Sequence, residues 1–247
     1  MTFPVYIRVG ALSIHPHLLF EALAFAVAFA LFLYLRRSER DHLSDELRWW
    51  VVTAGVVGAA IGCRLLAWLG TPHAPVSGKT VVAGVIGGIF AVEAIKRRFA
   101  VTTATGDLFA IPVTIGIAIG RVGCFLTGLS DDTYGTVTNL AWGINFGDGM
   151  KRHPVQLYEI AFLFVLAPML MTFWRRQGRR GDTFKLFVIS YMGWRFLIDF
   201  LKPANNVAGL SVIQIACLLM LIYYSRDFAR IARALVEPDS IAEAKDA

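Results

Sequence analysis

Apolar residues collect in long blocks separated by short polar connections. The blocks cover 18–35, 49–70, 80–95, 108–128, 156–174, 184–201 and 208–225. A helix needs about 20 largely apolar residues to cross a bilayer. The pattern therefore predicts an all-α, polytopic membrane helix bundle with seven spans, the third short enough to need its flanks. One membrane domain would cover 1–225, followed by a polar tail, 226–247.

Composition agrees. Of 247 residues, 56% are hydrophobic and 17% charged, too little charge to cover a water-soluble domain of this size. Residues 1–16 lack the charged start, apolar block and small-residue cleavage site of a signal peptide, so the first span, from Leu18 to Leu35, is read as retained. The net charge of +6 could point to nucleic acid, but its distribution points to topology. Basic residues gather after alternate spans: Arg36, Arg37, Arg40 and Arg48; Lys96, Arg97 and Arg98; Arg175, Arg176, Arg179, Arg180 and Lys185; Arg226, Arg230 and Arg233. The other connections hold only Arg8, Lys79, Lys151, Arg152 and Lys202. Basic loops stay cytoplasmic, which puts the N-terminus outside and the C-terminus inside. Anionic lipid headgroups, not nucleic acid, are the partner this implies.

Small residues mark close helix contacts. Gly58 with Gly62, Gly84 with Gly88 and Gly116 with Gly120 form GxxxG pairs, which let backbones approach within lipid. Pro112 and Pro168 are expected to bend spans four and five. The connection 129–155 is long enough to be functional, or a solvated cap. In the tail, Phe228, Ile231 and Leu235 recur at helical spacing, as in an interfacial helix or a plain extension of span seven. Cys63, Cys124 and Cys217 are scattered through the spans, with neither disulfide framework nor zinc spacing. No metal or cofactor is expected.

The informative residues are the ionisable ones inside spans, where each costs roughly 2.5–3.5 kcal/mol on insertion scales. They are Glu21, Arg64, Glu93, Arg121, Glu159, Arg195 and Asp199. Arg195 and Asp199 lie four apart and share a helix face. They form either an ion pair that locks packing or an arginine held by aspartate while its other donors bind an anion; a guanidinium fork suits phosphate. His17 and Glu21 also share a face, as an acid/base pair or a polar helix contact. Arg121 and Cys124 lie in GRVGC, where glycines allow close approach. Arg152, His153, Gln156, Tyr158 and Glu159 follow in RHPVQLYE, 152–159, with Pro154 able to open a helix. Together these residues describe a polar site for an anionic, lipid-like ligand.

The motifs resemble a known family. GRVGCFLTG at 120–128, Tyr134 with Gly135, WGINF at 142–146 and RHPVQLYE at 152–159 are similar, in order and spacing, to the signature of bacterial prolipoprotein diacylglyceryl transferases. Gly62 to Arg64, Gly84 to Gly88, Arg195 to Asp199, and Leu210, Ser211 and Gln214 also fit in order. The resemblance implies a multi-pass enzyme of the bacterial inner membrane that moves diacylglycerol from phosphatidylglycerol to a cysteine thiol in a lipoprotein precursor, releasing glycerol phosphate. Arg121 and Arg195 would bind or polarise the phosphate. Cys124, Gly135, Arg152, His153, Gln156, Tyr158, Glu159 and Asp199 would contact substrate.

The sequence also departs from that pattern. Val82 stands where the family carries a span-three His, His17 where it has a Tyr, and Cys124 where it has an Asn. The family's Glu after the signature glycine corresponds to Leu129, followed by Ser130, Asp131 and Asp132. Two expectations follow. His17 with Glu21 takes over the base role, making His17, Glu21, Arg121 and Arg195 the catalytic set; or the lipid donor is kept and the acceptor changes. The alternative is a non-enzymatic binder or carrier of anionic lipid or small anions.

Overall fold

The computed structural model describes residues 3–10, 12–38, 43–70, 80–176, 180–203 and 209–236. The final tail residues, including Glu237, lie outside the described residues, as do Arg40, Lys79 and Arg179. All seven apolar stretches are helical: α1 (Pro16–Ser38), α2 (Asp45–Gly70), α3 (Val81–Arg98), α4 (Asp107–Thr127), α5 (Val155–Arg176), α6 (Asp182–Ile198) and α7 (Val212–Tyr223). An eighth helix, α8 (Ser225–Val236), follows. Two short antiparallel hairpins complete the fold, β1 (Ile7–Val9) with β2 (Leu12–Ile14), and β3 (Ile144–Asn145) with β4 (Lys151–Arg152).

By length and composition, α1, α4 and α5 are able to cross a membrane; α7 and α8, bent by 62°, would make a fourth span if they act as one. Outward-facing side chains on these helices are large and apolar. Phe25 on α1 is 65% exposed and Phe164 on α5 is 80% exposed. Water would penalise such surface, and lipid removes the penalty.

The chain divides into two compact units. The first comprises Met1–Leu35, Leu108–Arg176 and Phe200–Pro203. Here α1 meets α4 across small residues: a methyl on Gly123 would press on Phe20 and the Pro16 carbonyl, and one on Gly116 would crowd Ala28. Gly120, expected to share that role, faces open space. The close contact therefore runs through Gly116 and Gly123, seven residues or two helical turns apart. Phe32 and Phe109 stack at 5.0 Å further along. Neither Pro112 nor Pro168 ends its helix.

The connection 128–154 is ordered by its own polar groups. A 3-10 turn at Gly128–Asp131 continues α4. The β3–β4 hairpin closes on Asn145 Oδ1, which accepts from the amides of Gly147 and Gly149. Those glycines have φ of 112° and 81°, a region that L side chains avoid.

The second unit comprises Arg36–Asp107, Gln177–Asp199 and Ala204–Ala247. Its α2 and α3 pack with backbones touching: a methyl on Gly58 would overlap the Gly87 carbonyl, and one on Gly62 the Ala83 carbonyl. The expected small-residue contact is present, with Gly87 meeting Gly58. Asp107 starts α6 by accepting from the amides of Gly181, at 2.5 Å, and Phe184, at 3.0 Å. Ser211 and Gln214 form a reciprocal cap on α7. In α8, Ile231 is buried and Phe228 exposed, and Asp182 of α6 pairs with Arg230.

Candidate active site

In the first unit, the start of α1, the end of α4 and the turn after it bring polar side chains together. His17 sits one residue into α1, behind Pro16, which fits a first helical turn because it lacks an N–H. Its Nδ1 lies 2.9 Å from Asp131 Oδ1, and its Nε2 lies 3.6 Å from Glu21 Oε2. The expected pairing of His17 with Glu21 is therefore present, but the nearer carboxylate is Asp131. Cys124 completes the group: donor atoms of His17, Cys124 and Asp131 all lie within 4.8 Å of one another. The site comes together because Gly123 allows α4 to lie against the first turn of α1.

Asp131 is held from behind. The Thr133 hydroxyl donates to Asp131 Oδ2 at 2.6 Å, and Gln156 Nε2 donates to Thr133 Oγ1 at 3.2 Å. Gln156 is buried on the first turn of α5, and its Oε1 has no hydrogen-bond partner among the described residues. One turn on, Glu159 Oε2 pairs with Arg121 Nε at 2.9 Å, both side chains being under a tenth exposed. The Arg121 Nη1 donates to Cys124 Sγ at 3.8 Å. Arg121 thus links the His17 group to α5. Buried ion pairs are strongly destabilised when one partner is lost, so this one fixes the guanidinium in place.

His153 and Tyr158 stand beside that face. Tyr158 Oη accepts from Trp142 Nε1 at 2.8 Å and lies 3.4 Å from His153 Nδ1. Gly135 is required for backbone reasons: its amide donates to the His153 carbonyl at 3.0 Å, and a methyl there would strike His153 Cβ. Gly135 therefore shapes the site through the backbone. Arg152 has other partners. It makes two hydrogen bonds to Asp148 Oδ2, at 2.6 and 2.8 Å, and lies 4.9 Å above the Tyr134 ring. The Arg152 guanidinium beside Asp148 holds its carboxyl below the usual carboxylate range.

In the second unit, Arg195 and Asp199 are both buried and pair at 3.3 Å along α6. Asp199 Oδ2 also accepts from the Ser211 hydroxyl at 2.5 Å. The first residue of the 3-10 turn after α6 is thereby tied to the cap of α7. Arg64 and Glu93, read as charges inside spans, lie on exposed faces of α2 and α3, and Glu93 pairs with Lys96 at 2.8 Å. Val82 is buried on α3 and supplies no proton-handling group there.

Asp131 and Thr133 join the candidate site, though the sequence alone did not single them out for it. Ser130, Asp131 and Asp132 stand out after the signature glycine, but only the turn after α4 decides which carboxylate faces His17.

The model of prolipoprotein diacylglyceryl transferases matches residues 4–225, nearly the whole apolar part of the chain. The chain belongs to this family. Among curated relatives, the phosphatidylglycerol–prolipoprotein diacylglyceryl transferase of Bordetella parapertussis is 30% identical over 228 residues, covering 84% of this chain and 85% of that protein. The transferase of the same description from Aeromonas salmonicida is 31% identical over 234 residues, covering 86% and 82%. For Geobacter sulfurreducens the identity is 30%, covering 84% and 85%. The family match supports a membrane-embedded transferase, with its polar centre at His17, Cys124, Arg121 and Asp131 the candidate site in this member of the family.

Proposed function

We propose that this protein moves the diacylglyceryl group of phosphatidylglycerol, or a related anionic phospholipid, onto a thiol of a lipoprotein precursor or another acceptor. The observation that carries this reading is the buried Arg121, fixed by Glu159 beside His17, Cys124 and Asp131, in a chain that belongs to this transferase family.

The reaction needs two things. An anion must be stabilised as the phosphate leaves, and a thiolate must be made. The acceptor sulfur forms a bond to the terminal methylene carbon of the diacylglyceryl group. The C–O bond to phosphate breaks, its electron pair leaves on glycerol phosphate, and the thiol proton goes to a base or to water. Arg121 supplies fixed positive charge for the leaving phosphate. His17, between Asp131 and Glu21, stands where the thiol is activated. Gln156 Oε1, a buried acceptor, suits a hydroxyl of the lipid headgroup. Cys124, Gly135, His153, Tyr158 and Glu159 surround or shape this region, and Arg152 borders it. Arg195, held by Asp199 in the second unit, is a second buried guanidinium suited to an anion and is assigned the same class of role on its own evidence.

We also propose seven spans with the N-terminus outside, residues 1–225 as the transferase domain and 226–247 as a cytoplasmic tail, in the bacterial inner membrane. The basic residues after alternate apolar stretches support this orientation. Labelling of single cysteines placed in the connections, from either side of intact cells, tests it.

Purified protein in lipid nanodiscs, given headgroup-labelled phosphatidylglycerol and a peptide with a lipoprotein-type cysteine, should release labelled glycerol phosphate and yield a diacylglyceryl peptide. Release without peptide modification would move the acceptor to another thiol. No release with any thiol would overturn the reading. Val82 in place of a proton-handling residue favours a second reading, lipid binding without turnover. Saturable phosphatidylglycerol binding with no glycerol phosphate release would establish it.

A further inference from the structure

We propose that His17, Cys124 and Asp131 form a transition-metal site of the zinc class, with the acceptor thiol as its fourth ligand. The fourth-ligand assignment rests on the transferase reading above; the three-residue site does not.

The donor set is the first argument. One imidazole nitrogen, one sulfur and one carboxylate oxygen come from α1, α4 and the turn after α4, and all lie within 4.8 Å of one another. Zinc binds N, S and O donors at roughly 2.0–2.3 Å, so tetrahedral ligands stand about 3.3–3.8 Å apart. His17 Nδ1 and Asp131 Oδ1, now 2.9 Å apart, need open by only about half an ångström to admit such an ion. Mixed imidazole, thiolate and carboxylate donors suit zinc or cobalt better than calcium or magnesium. Three protein ligands with one open position are the pattern of catalytic rather than structural zinc.

The surrounding groups are the second argument. A metal-bound histidine usually donates its other N–H to a carboxylate; Glu21 faces His17 Nε2 at 3.6 Å. A ligating carboxylate is usually held through its second oxygen; Thr133 donates to Asp131 Oδ2 and is itself held by Gln156. A thiolate ligand gains from a donor at sulfur; Arg121 Nη1 supplies one. The Cys124 thiolate and the Asp131 carboxylate would match a dication directly at the ion, while Arg121 is matched by Glu159.

Chemistry favours the metal over a covalent role for Cys124. A Cys124 nucleophile would take the diacylglyceryl group as a thioether, and a thiol does not displace a thioether, so turnover would stop. A metal-bound acceptor avoids this. The incoming thiol gives its proton to water as it binds the ion, because a coordinated thiol is deprotonated. Its sulfur then attacks the methylene carbon, the C–O electron pair leaves on glycerol phosphate, and the resulting neutral thioether, a weaker ligand than a thiolate, departs.

The test uses the full chain without a histidine tag, in nanodiscs, stripped of metal and titrated with Co2+. One equivalent should bind, with a sulfur-to-cobalt charge-transfer band in the near ultraviolet and the visible bands of a four-coordinate ion. Cys124→Ser should remove the charge-transfer band, and Asp131→Asn should abolish stoichiometric binding. Cys63→Ser should leave both bands in place. Glu21→Gln and Thr133→Val, which keep all three ligands, should weaken Co2+ binding about 10–100-fold, separating loss of the site from failure to fold. An acceptor peptide should shift the visible bands. Absence of a cysteine-dependent band overturns the site; full turnover by protein shown to be metal-free overturns the acceptor thiol as its fourth ligand. Metal binding as described, with no glycerol phosphate release from any thiol, keeps the site and overturns the transferase reading instead.

Discussion

Each compact unit contains a buried arginine paired with a carboxylate, and a hydroxyl holding an aspartate. The two assemblies differ in how far along the chain they reach. In the second unit Arg195 finds Asp199 one turn further on, and Ser211 holds Asp199 at 2.5 Å while capping α7. These contacts tie α6 to the start of α7. In the first unit Arg121 finds Glu159 on a different helix, and Thr133 holds Asp131 at 2.6 Å against His17. Thr133 caps no helix, and Asp131 presents its other oxygen to an imidazole and a thiol. The same chemical parts therefore serve a helix junction in one unit and a set of converging donors in the other. Local pairing ties one helix to the next, whereas long-range pairing gathers side chains from separate elements around one point.

The sharpest way to break this comparison is to remove each arginine in turn. Arg121→Met removes the counter-ion of the buried Glu159 and should cost about 3–5 kcal/mol of stability. Arg195→Met leaves Asp199 with the Ser211 hydroxyl still donating to it, so its cost should fall at the lower end of that range. Thermal unfolding in nanodiscs reads both. Arg121→Lys keeps the charge but loses the planar fork. It should retain most of the stability while glycerol phosphate release drops about 100-fold or more, as when a fixed donor to a developing anion is lost. Equal unfolding shifts for the two Met variants, with full turnover in Arg121→Lys, would erase the distinction.

The two hydroxyls give a smaller and cleaner contrast. Ser211→Ala removes a helix cap and should cost about 0.5–2 kcal/mol. Thr133→Val removes no cap and should shift unfolding less, while its effect appears in turnover and in metal affinity. If Thr133→Val destabilises as much as Ser211→Ala and leaves turnover intact, Asp131 is no more than a structural carboxylate.

The same contrast explains what the sequence could reveal. Each apolar block holds a helix because a run of apolar residues is a local property, and the pair Arg195 with Asp199 was readable because four-residue spacing fixes a helix face. His17 with Glu21 was readable for the same reason, yet the nearer partner is Asp131, more than a hundred residues away. No local period encodes that distance. The glycines behaved likewise: Gly116 was legible as half of a GxxxG pair and both GRVGC glycines as sites of close approach, but crossing geometry rather than motif decides that Gly123, and not Gly120, meets α1. Zinc-type spacing was absent from the sequence for the same reason, since the donors of His17, Cys124 and Asp131 converge only through tertiary packing.

The smallest expected effect lies at the edge of the first unit, where Arg152 holds Asp148 across the β3–β4 hairpin. The guanidinium lowers the Asp148 pKa on folding, so the folded pKa lies below the unfolded value of about 3.9. A depressed carboxylate contributes fully above its unfolded pKa and loses that contribution as pH falls through the folded one. The hairpin should therefore keep the same protection between pH 5 and 8 and loosen only in more acid solution. Because the pair is near the surface, the effect should be slight and should shrink with added salt. Hydrogen exchange at Met150 and Lys151, compared between the native protein and Asp148→Asn, reads it directly. The variant should lose the acid-dependent step and show one protection factor across the range, set apart from the buried Arg121 and Arg195 pairs, which added salt should barely touch. If salt weakens all three alike, the buried pairs are not shielded from solvent, and the distinction between a surface clasp and a fixed guanidinium fails with them.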